Sequence, residues 1–193
     1  MSCTLASRKM QNKLVLGLIG RIGSGKTAVA DYLVKTHDAK YLRFSDVLKD
    51  ILARVHKENT RENLQNLGAA LRGIFGDGIL AEVLRQDILD SEKRVVVVDG
   101  IRYADEVDMV KSLGGKVIYV KAPDKMRYER TVRRATRGEA KLTFEQFKKS
   151  EVKGTERFID VLGEQADYAI ENSGTLEDLR KKAEEIVKDA GLR

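Results

Sequence analysis

The stretch Gly20-Arg21-Ile22-Gly23-Ser24-Gly25-Lys26-Thr27 constrains the fold of this chain more than any other part of it. It fits G-x-x-x-x-G-K-[ST] in full, and it follows the short apolar run KLVLGLI at 13–19. A run of that length ending in glycine reads as a buried strand, and 25–35 reads as a helix. A glycine-rich turn in this setting wraps closely and points successive backbone N–H groups inward. The helix after it adds unpaired N-terminal N–H groups and the positive end of its dipole. The resulting concavity suits a polyphosphate. Gly20, Ile22, Gly23, Ser24, Gly25 and Ala28 are expected around it, with Lys26 on the β- and γ-phosphates and the Thr27 hydroxyl on Mg²⁺.

The rest of the chain alternates apolar strands with amphipathic helices. A weak strand at 39–44 precedes a helix at 46–56. Asn59 with Glu62 reads as a capping box opening a helix to about Phe75, and 79–89 reads as another helix. The run RVVVV at 94–98 is continuous and β-branched, which signals a strand buried on both faces, as in a parallel sheet. A helix at 104–113 closes at Gly114-Gly115, and a strand follows at 116–121. Asp124 opens a helix to about Arg137, Thr143 with Gln146 makes a second capping box, and 155–162 reads as helix. The chain closes with a short strand at 168–171 and a helix at 175–188. Strands separated by helices throughout imply an α/β fold: a five-stranded parallel sheet with helices on both faces. Ligands of such sheets lie beyond the carboxyl ends of the strands.

Asp99 ends the RVVVV strand and so belongs at that edge, where it is expected to hold Mg²⁺ directly or through water. A guanine-binding N-K-x-D is absent, and the one D-x-x-G, Asp160–Gly163, comes late and follows no strand. A GTPase is therefore not the expected reading.

The length of 193 residues with 42% hydrophobic content suits one domain, expected at 13–193 after a disordered tail at 1–12. No apolar run approaches the roughly 20 residues that span a bilayer. The single cysteine, Cys3, forbids an intramolecular disulfide and points to the cytoplasm. His37 and His56 lack ligand spacing and are read as solvent-facing helix residues. The net charge of +6 comes with only 6% aromatic residues and no nucleic-acid motif, which favours small anionic partners over nucleic acid.

Several segments together resemble the P-loop nucleotide kinases, in particular deoxynucleoside monophosphate kinases and dephospho-coenzyme A kinases. Phe44-Ser45-Asp46-Val47-Leu48-Lys49 is similar to their segment after the second strand. Leu64-Gln65-Asn66-Leu67-Gly68, then Leu71-Arg72 and Phe75-Gly76, resembles a later helix of theirs. Asp99-Gly100-Ile101-Arg102-Tyr103 with Glu106, then Gly114 to Ile118, resembles a third segment, and small archaeal kinase-like proteins carry a similar DGIR…EV pattern. The resemblance runs over about 13–187. It implies the P-loop NTPase fold with a small helical lid, and ATP-Mg-dependent phosphoryl transfer to a nucleotide or nucleotide-like acceptor. It leaves monomer and homodimer equally open.

Phosphoryl transfer needs positioning and cations around the transferring group. Arg130, Arg133, Arg134 and Arg137 share one helix face, where like charges repel unless an anion sits against them. The segment at about 127–150 is thus the expected lid, hinged at Gly138, with Arg130 and Arg134 as its catalytic cations and Arg137 next. Arg72 and Arg102 are expected on the acceptor's phosphate, with Lys49 beside them. Phe44 is either a base-stacking or a core residue. Asp46 is either a general base for a hydroxyl acceptor such as dephospho-coenzyme A or a cap for the following helix. A nucleoside or deoxynucleoside monophosphate acceptor, a dephospho-coenzyme A acceptor and a regulatory ATP-binding protein without turnover all remain open.

Overall fold

The computed structural model describes residues 13–134, 142–151 and 157–192. The expected tail at 1–12, Arg137 and the hinge at Gly138 lie outside the described residues. In chain order the elements are β1 Leu14–Ile19, α1 Lys26–His37, β2 Lys40–Arg43, α2 Phe44–Arg54, α3 Arg61–Phe75, α4 Ile79–Asp90 and β3 Val95–Asp99. They continue with α5 Ala104–Ser112, β4 Lys116–Lys121, α6 Asp124–Arg134, α7 Phe144–Glu151, α8 Ile159–Gly163, β5 Tyr168–Glu171 and α9 Leu176–Asp189.

The strands form one sheet in the order β2-β3-β1-β4-β5, and every neighbouring pair is parallel. Side chains alternate between the two faces of such a sheet. Val96 and Val98 of β3, with Val15 and Ile19 of β1, join the core built with α2, α3, α4 and α5. Val95 and Val97, with Leu16 and Leu18, join the opposite core built with α1 and α9. Both faces of β1 and β3 are thus covered, which is why these strands read as unbroken apolar runs. The five-stranded α/β architecture of a P-loop NTPase expected from the sequence is the one observed.

Gly17 lies in the middle of β1, where a Cβ would come within 2.7 Å of Ile101 Cδ1 and 3.2 Å of Val110 Cγ2. The missing side chain lets α5 and the loop before it sit close on the sheet. That seating brings the 99–103 loop near the carboxyl end of β1.

Three local expectations are corrected. The cap of α3 is Thr60, whose hydroxyl accepts from Asn63 N at 3.1 Å, and not Asn59, which is one residue too early for that contact. Asp46 does not cap α2. The N-cap is Arg43, and Asp46 lies inside the first turn with its carboxylate drawn to Arg43 and Lys49. His37 is not simply solvent-facing, because its Nε2 pairs with Glu184 Oε2 at 2.7 Å and joins α1 to α9. The Thr143–Gln146 box forms in both directions, at 2.9 and 3.2 Å.

Candidate active site

The loop between β1 and α1 stands at the carboxyl end of the central strand. The connection after β1 leads to β2 on one side of it and the connection after β3 leads to β4 on the other, so this is the point where a parallel sheet opens a crevice for ligands. Gly23 has φ 76° and Gly25 has φ 111°, a region that side-chain-bearing residues avoid. Glycine is required there for space as well. A Cβ on Gly23 would collide with the Arg127 backbone carbonyl, and one on Gly25 with the Asn172 amide.

Neighbours from late in the chain hold the loop. Asn172 follows β5, is buried, and donates from Nδ2 to the Ser24 carbonyl at 2.7 Å. Arg127 of α6 is 3% exposed. It donates to the Ile22 carbonyl at 3.3 Å and to Asp124 Oδ1 at 2.6 Å, and it also pairs with Glu151. Arg21 donates to Asp160 Oδ2 at 2.7 Å, and that bond holds the Asp160 carboxyl below the usual range. Sequence reasoning passed over Asn172 and Glu151, and set Asp160 aside as part of a D-x-x-G that comes late and follows no strand. Their only sequence signal was a polar residue flanking an apolar element.

The expected site residues fall into two groups around this loop. Lys26 folds back to donate to the carbonyls of Gly20 at 2.7 Å and Arg21 at 3.3 Å. Thr27 is exposed on the first turn of α1, next to Ala28. Ser24 is 1% exposed, and its Oγ has no hydrogen-bond partner among the described residues. Arg130 reaches toward the carbonyls of Gly23 at 3.5 Å and Asn172 at 3.4 Å. Arg134 is exposed at the end of α6.

On the β3 side, Asp99 lies in register with Leu18 of β1 and Arg43 of β2. Asp99 is buried. Its Oδ2 accepts from the Tyr41 hydroxyl at 2.6 Å, while Oδ1 has no partner among the described residues. Buried polar atoms without partners are uncommon and point to a ligand or ion. Ser24 Oγ and Asp99 Oδ1 are two such atoms at one sheet end. A nucleotide phosphate at the first and a divalent cation at the second therefore fit the residues present.

The acceptor-side residues are further out. Asp46 Oδ2 accepts from Arg43 Nε at 2.7 Å and Asp46 Oδ1 from Lys49 Nζ at 2.6 Å. Burial pushes this carboxyl up, but the bonds from Arg43 and Lys49 win and hold it below its ordinary value. Phe44 is buried in the core of the α2–α5 face. Arg72 is engaged by Glu106 Oε1 at 2.8 Å and Asp105 Oδ2 at 3.6 Å, and its guanidinium lies 3.9 Å from the centre of the Tyr103 ring. The same Glu106 accepts from the backbone N–H of Arg102 at 2.7 Å through Oε2. Glu106 thus ties α3 to the loop that presents Arg102.

Two measurements follow from these contacts. Asn172→Ala leaves the Ser24 carbonyl buried and unpaired, so denaturant titration should show a loss of about 1–3 kcal/mol. Burial raises the Glu106 carboxyl from 4.5 to about 7 despite Arg102 N–H and Arg72. The folded protein then binds more protons than the unfolded one between those values. Glu106 accordingly adds stability that is complete below about pH 4.5 and is lost as pH rises through about 7. Denaturation midpoints measured across that window should fall with pH in the wild type, and Glu106→Gln should flatten the slope.

With this geometry in place, comparisons with known proteins locate the chain. A family model described as an AAA domain matches residues 19–148. A UPF0200 protein of Sulfurisphaera tokodaii is 31% identical over 175 residues, covering 90% of this chain and 96% of the relative. A UPF0200 protein of Aeropyrum pernix is 30% identical over 181 residues, covering 93% and 95%. Among solved structures, a shikimate kinase from Acinetobacter baumannii in complex with shikimate superposes with a TM-score of 0.62 at 20% identity, covering 97% of this chain and 99% of that one. A shikimate kinase from Bacteroides thetaiotaomicron gives 0.61 at 14% identity, covering 93% and 99%. At these identities the two structures speak for a shared fold. The family model and the relatives go further: this chain belongs to the AAA domain family, among the UPF0200 proteins, with the fold of a P-loop kinase.

Proposed function

We propose that the protein transfers the γ-phosphoryl group of ATP to a nucleoside or deoxynucleoside monophosphate. The observation that carries the first half is the glycine-shaped loop with the buried, unpartnered Ser24 Oγ inside it and the buried, unpartnered Asp99 Oδ1 across from it. Backbone N–H groups of residues 20–27 would bind the triphosphate, and Lys26 would exchange its two carbonyl partners for phosphate oxygens. Thr27 and Asp99 would hold Mg²⁺, which supplies neutralisation of the β- and γ-oxygens. Arg130, beside the loop, and Arg134, further along α6, are the cations for charge developing in transfer.

The choice of acceptor rests on Asp46. A general base works best with a pKa near the operating pH. Asp46 is held in the opposite direction by Arg43 and Lys49. An acceptor phosphate is already an anionic nucleophile and needs no base, so this cluster favours a phosphate over a hydroxyl. Arg43, Lys49 and Arg102 would meet its charge. Arg72, committed to Glu106, keeps the Arg102 loop in place. The segment around 127–150 would close over the transferring group as a lid, excluding water.

The test is ADP formation from ATP-Mg with a panel of nucleoside and deoxynucleoside monophosphates and dephospho-coenzyme A. Turnover with one monophosphate is the expected result. Turnover only with dephospho-coenzyme A would move the assignment to a hydroxyl acceptor, and ATP binding without acceptor-dependent ADP would indicate a regulatory protein. Lys26→Ala should cut the rate by at least about a hundredfold, since it removes a cation from the transferring group.

A further inference from the structure

Tyr41 touches Asp99, one of the two residues assigned to the cation. The register explains how. Tyr41 of β2 pairs with Val97 of β3, and Asp99 lies two residues beyond Val97. A period of two puts Tyr41 and Asp99 on the same face of the sheet, the face covered by α1. Thr27 is on the first turn of that helix. The Tyr41 hydroxyl donates to Asp99 Oδ2 at 2.6 Å, so a phenol on β2 holds the carboxylate at the end of β3.

The placement is rigid. The Tyr41 ring packs against the apolar core of the α1–α9 face. The Arg43 guanidinium lies 5.3 Å from the ring centre. A ring held in this way leaves its hydroxyl one position to occupy. The bond it makes is selective, because it satisfies one oxygen of Asp99 and leaves the other buried without a partner. A carboxylate free to rotate would share its two oxygens among donors and solvent. With Oδ2 fixed, Oδ1 becomes the oxygen for a ligand.

We propose that Tyr41 is a positioning residue for the divalent cation: its hydroxyl fixes Asp99 Oδ2 and so leaves Oδ1 as the oxygen for the metal. This rests on the ATP-Mg reading above and adds to it a residue that touches neither metal nor phosphate. It makes a specific claim: Tyr41 acts on the gain in nucleotide affinity that the metal brings, and not on affinity for the nucleotide itself.

Calorimetric titration with β,γ-methylene ATP, in EDTA and then in excess Mg²⁺, separates these quantities for the wild type and Tyr41→Phe. The variant keeps the ring, its packing and the Arg43 contact. Its affinity in EDTA should stay within about twofold of the wild type, while the gain from Mg²⁺ should shrink about tenfold, the expected size of one charge-assisted hydrogen bond. The chain has six tyrosines and no tryptophan, so a Mg²⁺-dependent tyrosine difference spectrum should also weaken in the variant. An equal loss of affinity in EDTA and Mg²⁺ would make Tyr41 an ordinary packing residue and overturn the proposal. An unchanged gain from Mg²⁺ would do the same while leaving the cradle intact. A wild type that binds no triphosphate in either buffer would overturn the cradle reading itself.

Discussion

Everything in this molecule that bears on phosphate depends on a loop that cannot hold its own shape. Gly23 and Gly25 sit at positive φ, where glycine is tolerated because it lacks a side chain, and glycine is also the residue that loses most freedom on ordering. Lys26 supplies bonds within the loop, to the Gly20 and Arg21 carbonyls, and further restraints come from outside it. Asn172 supplies one restraint through the Ser24 carbonyl, and Arg127 a second through the Ile22 carbonyl. The Arg21–Asp160 pair supplies a third. Each partner lies more than a hundred residues away in sequence, so the cradle is complete only when β4, α6, α8 and β5 have docked. The shape of the loop and completion of the fold are therefore coupled.

The arginines of α6 show how one helix serves two purposes. Arg127 and Arg130 are three residues apart and share a face toward the loop. Arg127 goes deep and is neutralised by Glu151 and Asp124, becoming part of the scaffold. Arg130 stays near the rim and, among the described residues, bonds to carbonyl and amide oxygens of Gly23 and Asn172. A cation facing neutral acceptors keeps its charge available for an anion, whereas one locked to carboxylates does not. Arg72 faces two carboxylates, Glu106 and Asp105, whereas Arg43 and Lys49 share one, Asp46, so the β2 end keeps a net positive charge.

The two kinds of likeness act at different levels. Resemblance to shikimate kinases at 20% identity and below concerns the path of the chain and the place where a parallel sheet opens for ligands. The 31% likeness to a UPF0200 protein spans nearly the whole sequence. A fold offers a phosphoryl donor site in a fixed location, while the acceptor is chosen by side chains grafted around it.

The sequence by itself determined the elements whose signal is local. The run RVVVV became β3, the motif at 20–27 became the turn from β1 into α1, and the Thr143–Gln146 box formed as its spacing implied. It also placed Asp99 at the ligand end of the sheet, because a strand's last residue has to lie there. It left Asp46 undecided, missed Asn172 and Tyr41, and gave Arg72 to a ligand when its partner is Glu106. Only the tertiary structure decided these, through the strand order β2-β3-β1-β4-β5 and its register. Local periodicity reports which face of an element is buried. Which polar group meets which across that face depends on the relative placement of elements distant in the chain, and no short window of sequence carries that information.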